Sequence, residues 1–185
     1  MSSDNQYFIV IDFEATCTNK KEFPASEMEI IEFAGMLINT KFEIIKEFSE
    51  FVKPIRHQQL TEFCTELTTI TQQDVDQAKE FSEVLKEFNI AIEGFNPIFL
   101  SWGNFDKNIL IENCEFHKTE YPFDMKNHIN IKQKIAQHLE LKKAKGVSGM
   151  LKYFKMDFIG TPHRGIDDVR NIVRILKACS YPLKN

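Results

Sequence analysis

The chain has 185 residues, of which 43% are hydrophobic and 27% charged, a balance that fits one folded globular domain over 1–185 and excludes a fibrous repeat or a disordered tail. Its formal charge of −4 argues against bulk attraction to a polyanion. That total hides an asymmetry, because residues 1–125 carry 10 Lys and Arg against 23 Asp and Glu, whereas residues 126–185 carry 13 against 4.

Tyr7 to Ile11 is a short apolar run of β-branched and aromatic residues that reads as a buried strand ending on Asp12. Ile30 to Ile38 and Phe42 to Phe51 follow as strands around the turn-like Asn39-Thr40-Lys41, so a β-meander opens the domain. Phe81, Val84, Leu85 and Phe88 recur at helical spacing. Asn96-Pro97 then breaks the chain before a second buried strand, Ile98 to Leu100, and a helix begins near Asn104 as its cap. The remainder reads as mostly helical, closing on a helix from about Asp167 whose apolar stripe is Val169, Ile172, Val173 and Leu176, with Asp167 placed to cap it. Early strands followed by alternation with helices imply an α/β fold, a mixed sheet covered by helices.

Cys17, Cys64, Cys114 and Cys179 are far apart and form no C-x-x-C pair, which suits a reducing compartment. Met1 to Gln6 lacks the basic flank and apolar run of a signal peptide, and no later run reaches membrane-spanning length. A cytoplasmic protein without a membrane partner is expected.

Asp12 and Glu14 are two apart on a strand, so their side chains project to one side while Phe13 points to the other. Two like charges side by side at an apolar rim are unfavourable without a cation between them, and a divalent metal is the economical partner. An isolated D-x-E is more often a solvated strand end. Asp106 changes the balance: it follows the second buried strand by a Trp102-Gly103 turn and shares a helix face with Ile109 and Leu110. Asp168 repeats the pattern with Ile172 and Ile175, and His163 stands five residues earlier on a Pro162-to-Gly165 loop.

The segments Ile11-Asp12-Phe13-Glu14-Ala15-Thr16-Cys17, Ser101-Trp102-Gly103-Asn104-Phe105-Asp106 and His163-Arg164-Gly165-Ile166-Asp167-Asp168 resemble, in order, the three motifs of the DnaQ-like DEDDh 3′-to-5′ exonuclease superfamily. Their wording is most like the Eri exoribonucleases, as is the block Phe63 to Thr71, in which Thr69 stands where that family usually has Gly. The resemblance covers residues 7–178. It implies an RNase H-like fold, with Asp12, Glu14, Asp106 and Asp168 as ligands of two divalent ions, Mg²⁺ or Mn²⁺, and His163 as general base, a duty that Glu14 shares by orienting the water. All-oxygen donors select hard ions, and two such ions about 4 Å apart serve in-line displacement at phosphorus.

The resemblance also places Phe13, Ala15 and Thr16 at the terminal nucleotide, the last two through backbone groups, with Leu67 and Ile70 wedged against its base and Trp102 and Phe105 as stacking residues. Core packing is an equal reading for the two aromatics. Lys142, Lys143 and Lys145 are either a solvated helix end or a grip on the phosphate backbone. The implied activity is hydrolysis from 3′ ends of RNA, releasing 5′-mononucleotides. A DNA-directed or proofreading-type 3′-to-5′ exonuclease, acting on single-stranded DNA, is the alternative within the class, and a catalytically silent RNA-binding module on the same fold the alternative class.

Overall fold

The computed structural model describes residues 6–124 and 126–183. A six-stranded sheet runs in the order β4-β3-β2-β1-β5-β6, where β1 is Tyr7–Ala15, β2 Ile30–Asn39, β3 Ile44–Lys53, β4 Lys79–Glu80, β5 Ile98–Ser101 and β6 His128–Asn130. The helices are α1 Glu62–Thr68, α2 Gln72–Asp76, α3 Phe81–Ile92, α4 Phe105–His117, α5 Ile131–His138, α6 Val147–Tyr153 and α7 Gly165–Ala178. The expected meander is present, since β1, β2 and β3 pair antiparallel. Strand β5 then joins β1 in parallel, and β6 joins β5 in parallel.

The two-residue period of β1 divides the core. Phe8 and Val10 pack with Leu151, Val169 and Ile172 on the face covered by α5, α6 and α7, while Ile9, Ile11 and Phe13 pack with Phe88, Ile109 and Leu110 of α3 and α4 on the other. By the same alternation Asp12 and Glu14 fall on the α7 face. A run buried on both faces reads as continuous apolar sequence, which is why β1 and β2 were legible.

Several boundaries differ from the sequence reading. Strand β1 does not stop at Asp12 but continues to Ala15, because Asp12, Glu14 and Ala15 still pair with Ala34, Glu32 and Ile30 of β2. Strand β3 starts at Ile44, since the turn after β2 closes with Phe42 N–H donating to Asn39 O and Phe42 at φ 59°. Helix α7 begins at Gly165 with Arg164 as N-cap, so Asp167 lies in the first turn and accepts from Thr161 N–H rather than capping. Asn104 holds the N-cap position of α4 without a side-chain capping bond, and its Oδ1 accepts from Asn130 instead. Strand β6 lies in a stretch read as helical, being only three residues long and largely polar.

Candidate active site

Helix α7 approaches the sheet unusually closely because its first residue is glycine: a Cβ on Gly165 would lie 2.8 Å from Asp12 O and 2.9 Å from Ala34 Cβ. This contact sets the first turn of α7 against the middle of β1. Asp168, one turn on, therefore meets Asp12 and Glu14, and ligand oxygens of all three lie within 4.8 Å of one another. First-turn acids also suit the positive end of the helix dipole.

Asp106 arrives from the opposite layer. It opens α4 after the Trp102-Gly103 turn, is 4% exposed, and accepts from the Phe13 backbone N–H at 3.1 Å. It lies outside the three-carboxylate cluster but close enough to Asp12 to raise the cost of the Asp12 charge.

Burial and mutual repulsion act on all four acids. Asp12 is held well above the usual carboxylate range, first by desolvation and then by Asp106, Asp168 and Glu14. Burial pushes Glu14 up to about 8, with Asp168 adding to the shift. Asp106 and Asp168 each rise to about 6 by burial, opposed by the backbone N–H groups of Phe13 and His163 respectively. Such a set of crowded, dehydrated carboxylates is what a divalent cation relieves. The donors are all oxygen, so the residues present fit a hard ion.

His163 is exposed at φ 61°, and its N–H donates to Asp168 Oδ2 at 2.8 Å. With Asp12, Glu14, Asp168, Pro162 and the segment Gly146 to Gly149 it lines a cavity of about 320 Å³. The imidazole thus stands at the mouth of the carboxylate cluster. Positive φ at a non-glycine residue is uncommon and concentrates at sites where geometry is imposed.

The expected nucleotide contacts are placed unevenly. Leu67 is 37% and Phe105 50% exposed, so both present apolar surface. Ile70 is fully buried with Leu60, Cys64 and Val75 and has no face to wedge against a base in this conformation. The Phe13 ring is 3% exposed and packs edge-on against Phe33, leaving only its backbone toward the site. Thr16 N–H already donates to Glu29 O at 2.8 Å, and its hydroxyl accepts from Glu29 N–H at 2.9 Å, so its amide is not free for a nucleotide. Ala15 is 5% exposed beside Glu14. Trp102 is partly buried against the core, with Nε1–H donating to Lys145 O at 3.0 Å. Lys145 directly precedes Gly146 of the cavity lining, and Lys142, Lys143 and Lys145 are all exposed.

Glu32 escaped the sequence reading. It sits opposite Glu14 in the β1–β2 ladder, is 1% exposed, and accepts from Arg164 Nε and Gly165 N–H, each at 3.1 Å. The signal available was a carboxylate inside the otherwise apolar run Ile30 to Ile38.

A mixed sheet with β1 at its switch from antiparallel to parallel neighbours, carrying acids that meet one acid from each flanking helix layer, defines an RNase H-like nuclease domain. The profile of the exonuclease family (RNase T type) matches residues 9–176, and the chain belongs to that family. Within it the chain is of the DEDDh type and is similar to the Eri exoribonucleases. It is 35% identical over 184 residues to ERI1 exoribonuclease 3 of Homo sapiens, covering 95% of this chain and 54% of the relative. It is also 35% identical over 178 residues to 3′-5′ exoribonuclease 1 of Homo sapiens, covering 91% and 51%. The chain thus spans about half the length of the curated relatives it matches. Among solved structures, the nuclease domain of 3′hExo, a DEDDh family member bound to rAMP, superposes with a TM-score of 0.86 at 34% identity, over 96% of this chain and 92% of that one. Exonuclease I, 13% identical with a TM-score of 0.77 over 96% of this chain and 41% of that one, shares the fold. Membership of the DEDDh type implies divalent metal ions, in keeping with the acidic cluster. No described helix is long and apolar enough to cross a membrane.

Proposed function

We propose that this chain is one exonuclease domain that removes nucleotides from the 3′ ends of RNA by hydrolysis, releasing 5′-mononucleotides. The observation that carries the reading is the meeting of Asp12, Glu14 and Asp168 within 4.8 Å, with His163 on the rim of the same cavity.

Asp12, Glu14 and Asp168, together with Asp106 close to Asp12, would hold two divalent ions. Mg²⁺ or Mn²⁺ suits the all-oxygen donors. Bound there, such ions supply Lewis acidity at the scissile phosphate and neutralise the crowded carboxylates. His163, exposed to the cavity mouth, accepts the proton of the attacking water. Glu14, also lining the cavity, orients that water. Leu67 and Phe105 offer apolar faces to an unpaired terminal base. Trp102 serves chiefly to fix Lys145 beside the cavity.

RNA is favoured over single-stranded DNA by the solved relatives. One is described as 3′-end specific recognition of a histone mRNA stem-loop, at 32% identity over 100% of this chain, and another holds rAMP. The free thiols of Cys17, Cys64, Cys114 and Cys179 suit a cytoplasmic setting.

The test is product analysis. RNA and DNA oligonucleotides of one sequence are incubated with Mg²⁺ or Mn²⁺ and the released nucleotides separated by chromatography. Nucleoside 5′-monophosphates, formed faster from RNA, are expected. Nucleoside 3′-monophosphates, or no release with either ion, would remove the reaction, and faster loss of DNA would remove the RNA assignment alone.

A further inference from the structure

Glu32 is a buried acid that the reaction above leaves without a task. A carboxylate 1% exposed is expensive to hold unless its oxygens are bonded. The bonds it makes are informative: Oε2 accepts from Arg164 Nε and from Gly165 N–H, each at 3.1 Å, and Ser49 Oγ lies 3.5 Å from Oε1. Both close donors belong to the two residues that directly follow His163.

We propose that Glu32 is a positioning residue for His163: by gripping Arg164 and Gly165 from the sheet, it fixes the direction in which the imidazole leaves the chain. The inference rests on the exonuclease reading. Arg164 is held from a second side, its guanidinium carbon 5.1 Å from the centre of the Phe51 ring, and Gly165 is seated against Asp12 O. His163 itself is exposed, and the hydrogen bond it makes runs through its backbone N–H to Asp168. Its ring direction therefore depends on the anchors on either side of it. Asp168 depends on them less, because its neighbours Val169 and Ile172 are fully buried in the core and hold α7 on the sheet. Loss of the Glu32 grip should thus disturb His163 first. Misplacement of a reacting group by about 1 Å can cost about 100-fold in rate.

A kinetic cycle tests this with Glu32→Gln, His163→Ala and the double variant, all with Mg²⁺ and saturating RNA. Glu32→Gln is expected to lower kcat by about 10- to 100-fold with KM changed less than about threefold, the pattern of an interaction used in the transition state. In the His163→Ala background the same change should alter kcat less than about twofold, since residues acting as a unit are not additive. Independent, multiplicative losses would overturn the inference, as would an unchanged or raised kcat in Glu32→Gln. A second readout needs no turnover. The His163 ring proton resonance of the metal-free protein, assigned by its disappearance in His163→Ala, should move toward the position of an unstructured histidine in Glu32→Gln; an unmoved resonance would overturn the inference. If Glu32→Gln does not fold, Arg164→Gln breaks the same grip from the other side and is read identically. A wild-type protein inactive on RNA would remove the exonuclease reading and this inference together, whereas an active one with independent losses removes this inference alone.

Discussion

A Cβ on Gly165 would stand 2.8 Å from the carbonyl oxygen of Asp12, so the helix that carries one acid of the site touches the strand that carries two others. Backbone at that distance cannot yield cheaply. Gly165→Ala should push α7 off β1 and carry Asp168 away from Asp12 and Glu14. Overpacking of this kind costs about 1–3 kcal/mol, so thermal melting should fall by several degrees and exonuclease turnover by more than tenfold. Unchanged melting and turnover would show that the contact does not set the site.

The acids set the pH dependence of the metal-free protein. Folding raises Glu14 from an ordinary value of 4.5 to about 8, and Asp106 and Asp168 from 3.8 to about 6. Between the unfolded and folded values the native state binds more protons than the unfolded chain, so stability must fall as pH rises. The melting temperature in EDTA should therefore decline from about pH 5 to pH 8, and added Mg²⁺ should restore more of it at pH 8 than at pH 5. A metal-free protein that grows more stable over this range would contradict the burial of these groups.

His163→Ala separates chemistry from binding. A general base contributes about 10²- to 10⁴-fold to rate, and its loss should appear in kcat, with the affinity for an RNA bearing a 3′-terminal phosphorothioate changed only slightly. Equal losses in turnover and affinity would make His163 a binding residue.

Thr69 closes α1 in the left-handed region, at φ 62° and ψ 5°. An L-residue there is strained by about 1–2 kcal/mol, and a β-branched one is a particular outlier, which accounts for the glycine usual at this position in the resembling family. Relief of that strain outweighs the extra freedom glycine gives the unfolded chain. Thr69→Gly should stabilise the protein by about 1 kcal/mol, which is about 2–4 °C in melting temperature at this size. Thr69→Ala keeps a Cβ and should gain little, so equal gains from both would refute the explanation.

The sequence disclosed the elements whose burial leaves a simple trace. Phe81, Val84, Leu85 and Phe88 carry the 3.6-residue period of a one-sided helix, and all four are buried. The run at β1 is apolar because both its faces are covered. The order of Asp12, Glu14, Asp106, His163 and Asp168 was visible because the family's wording is local to each segment. What could not be read is how segments more than a hundred residues apart meet. Glu32 reaches Arg164 across 132 positions, and one acid in a hydrophobic strand has no partner in sequence to reveal it. Burial of Ile70 was hidden for the same reason: a hydrophobic residue in a functional motif looks the same whether it faces a base or the core. Strand β6 was missed because three partly buried residues leave no period to detect.

If the acids around Asp12 form a metal site that performs 3′-to-5′ hydrolysis, cleavage must require both the metal and the Asp12 carboxylate. That requirement is tested most directly on a 5′-labelled single-stranded RNA, followed over time with Mg²⁺, with EDTA, and with Asp12→Asn. A metal-dependent site should give a ladder shortening one nucleotide at a time from the 3′ end with Mg²⁺ alone. Intact RNA is expected in the other two arms, with Asp12→Asn folded and, without metal, melting higher than the wild type because one repelling charge is gone. A ladder that persists in EDTA or in a folded Asp12→Asn protein would contradict that requirement.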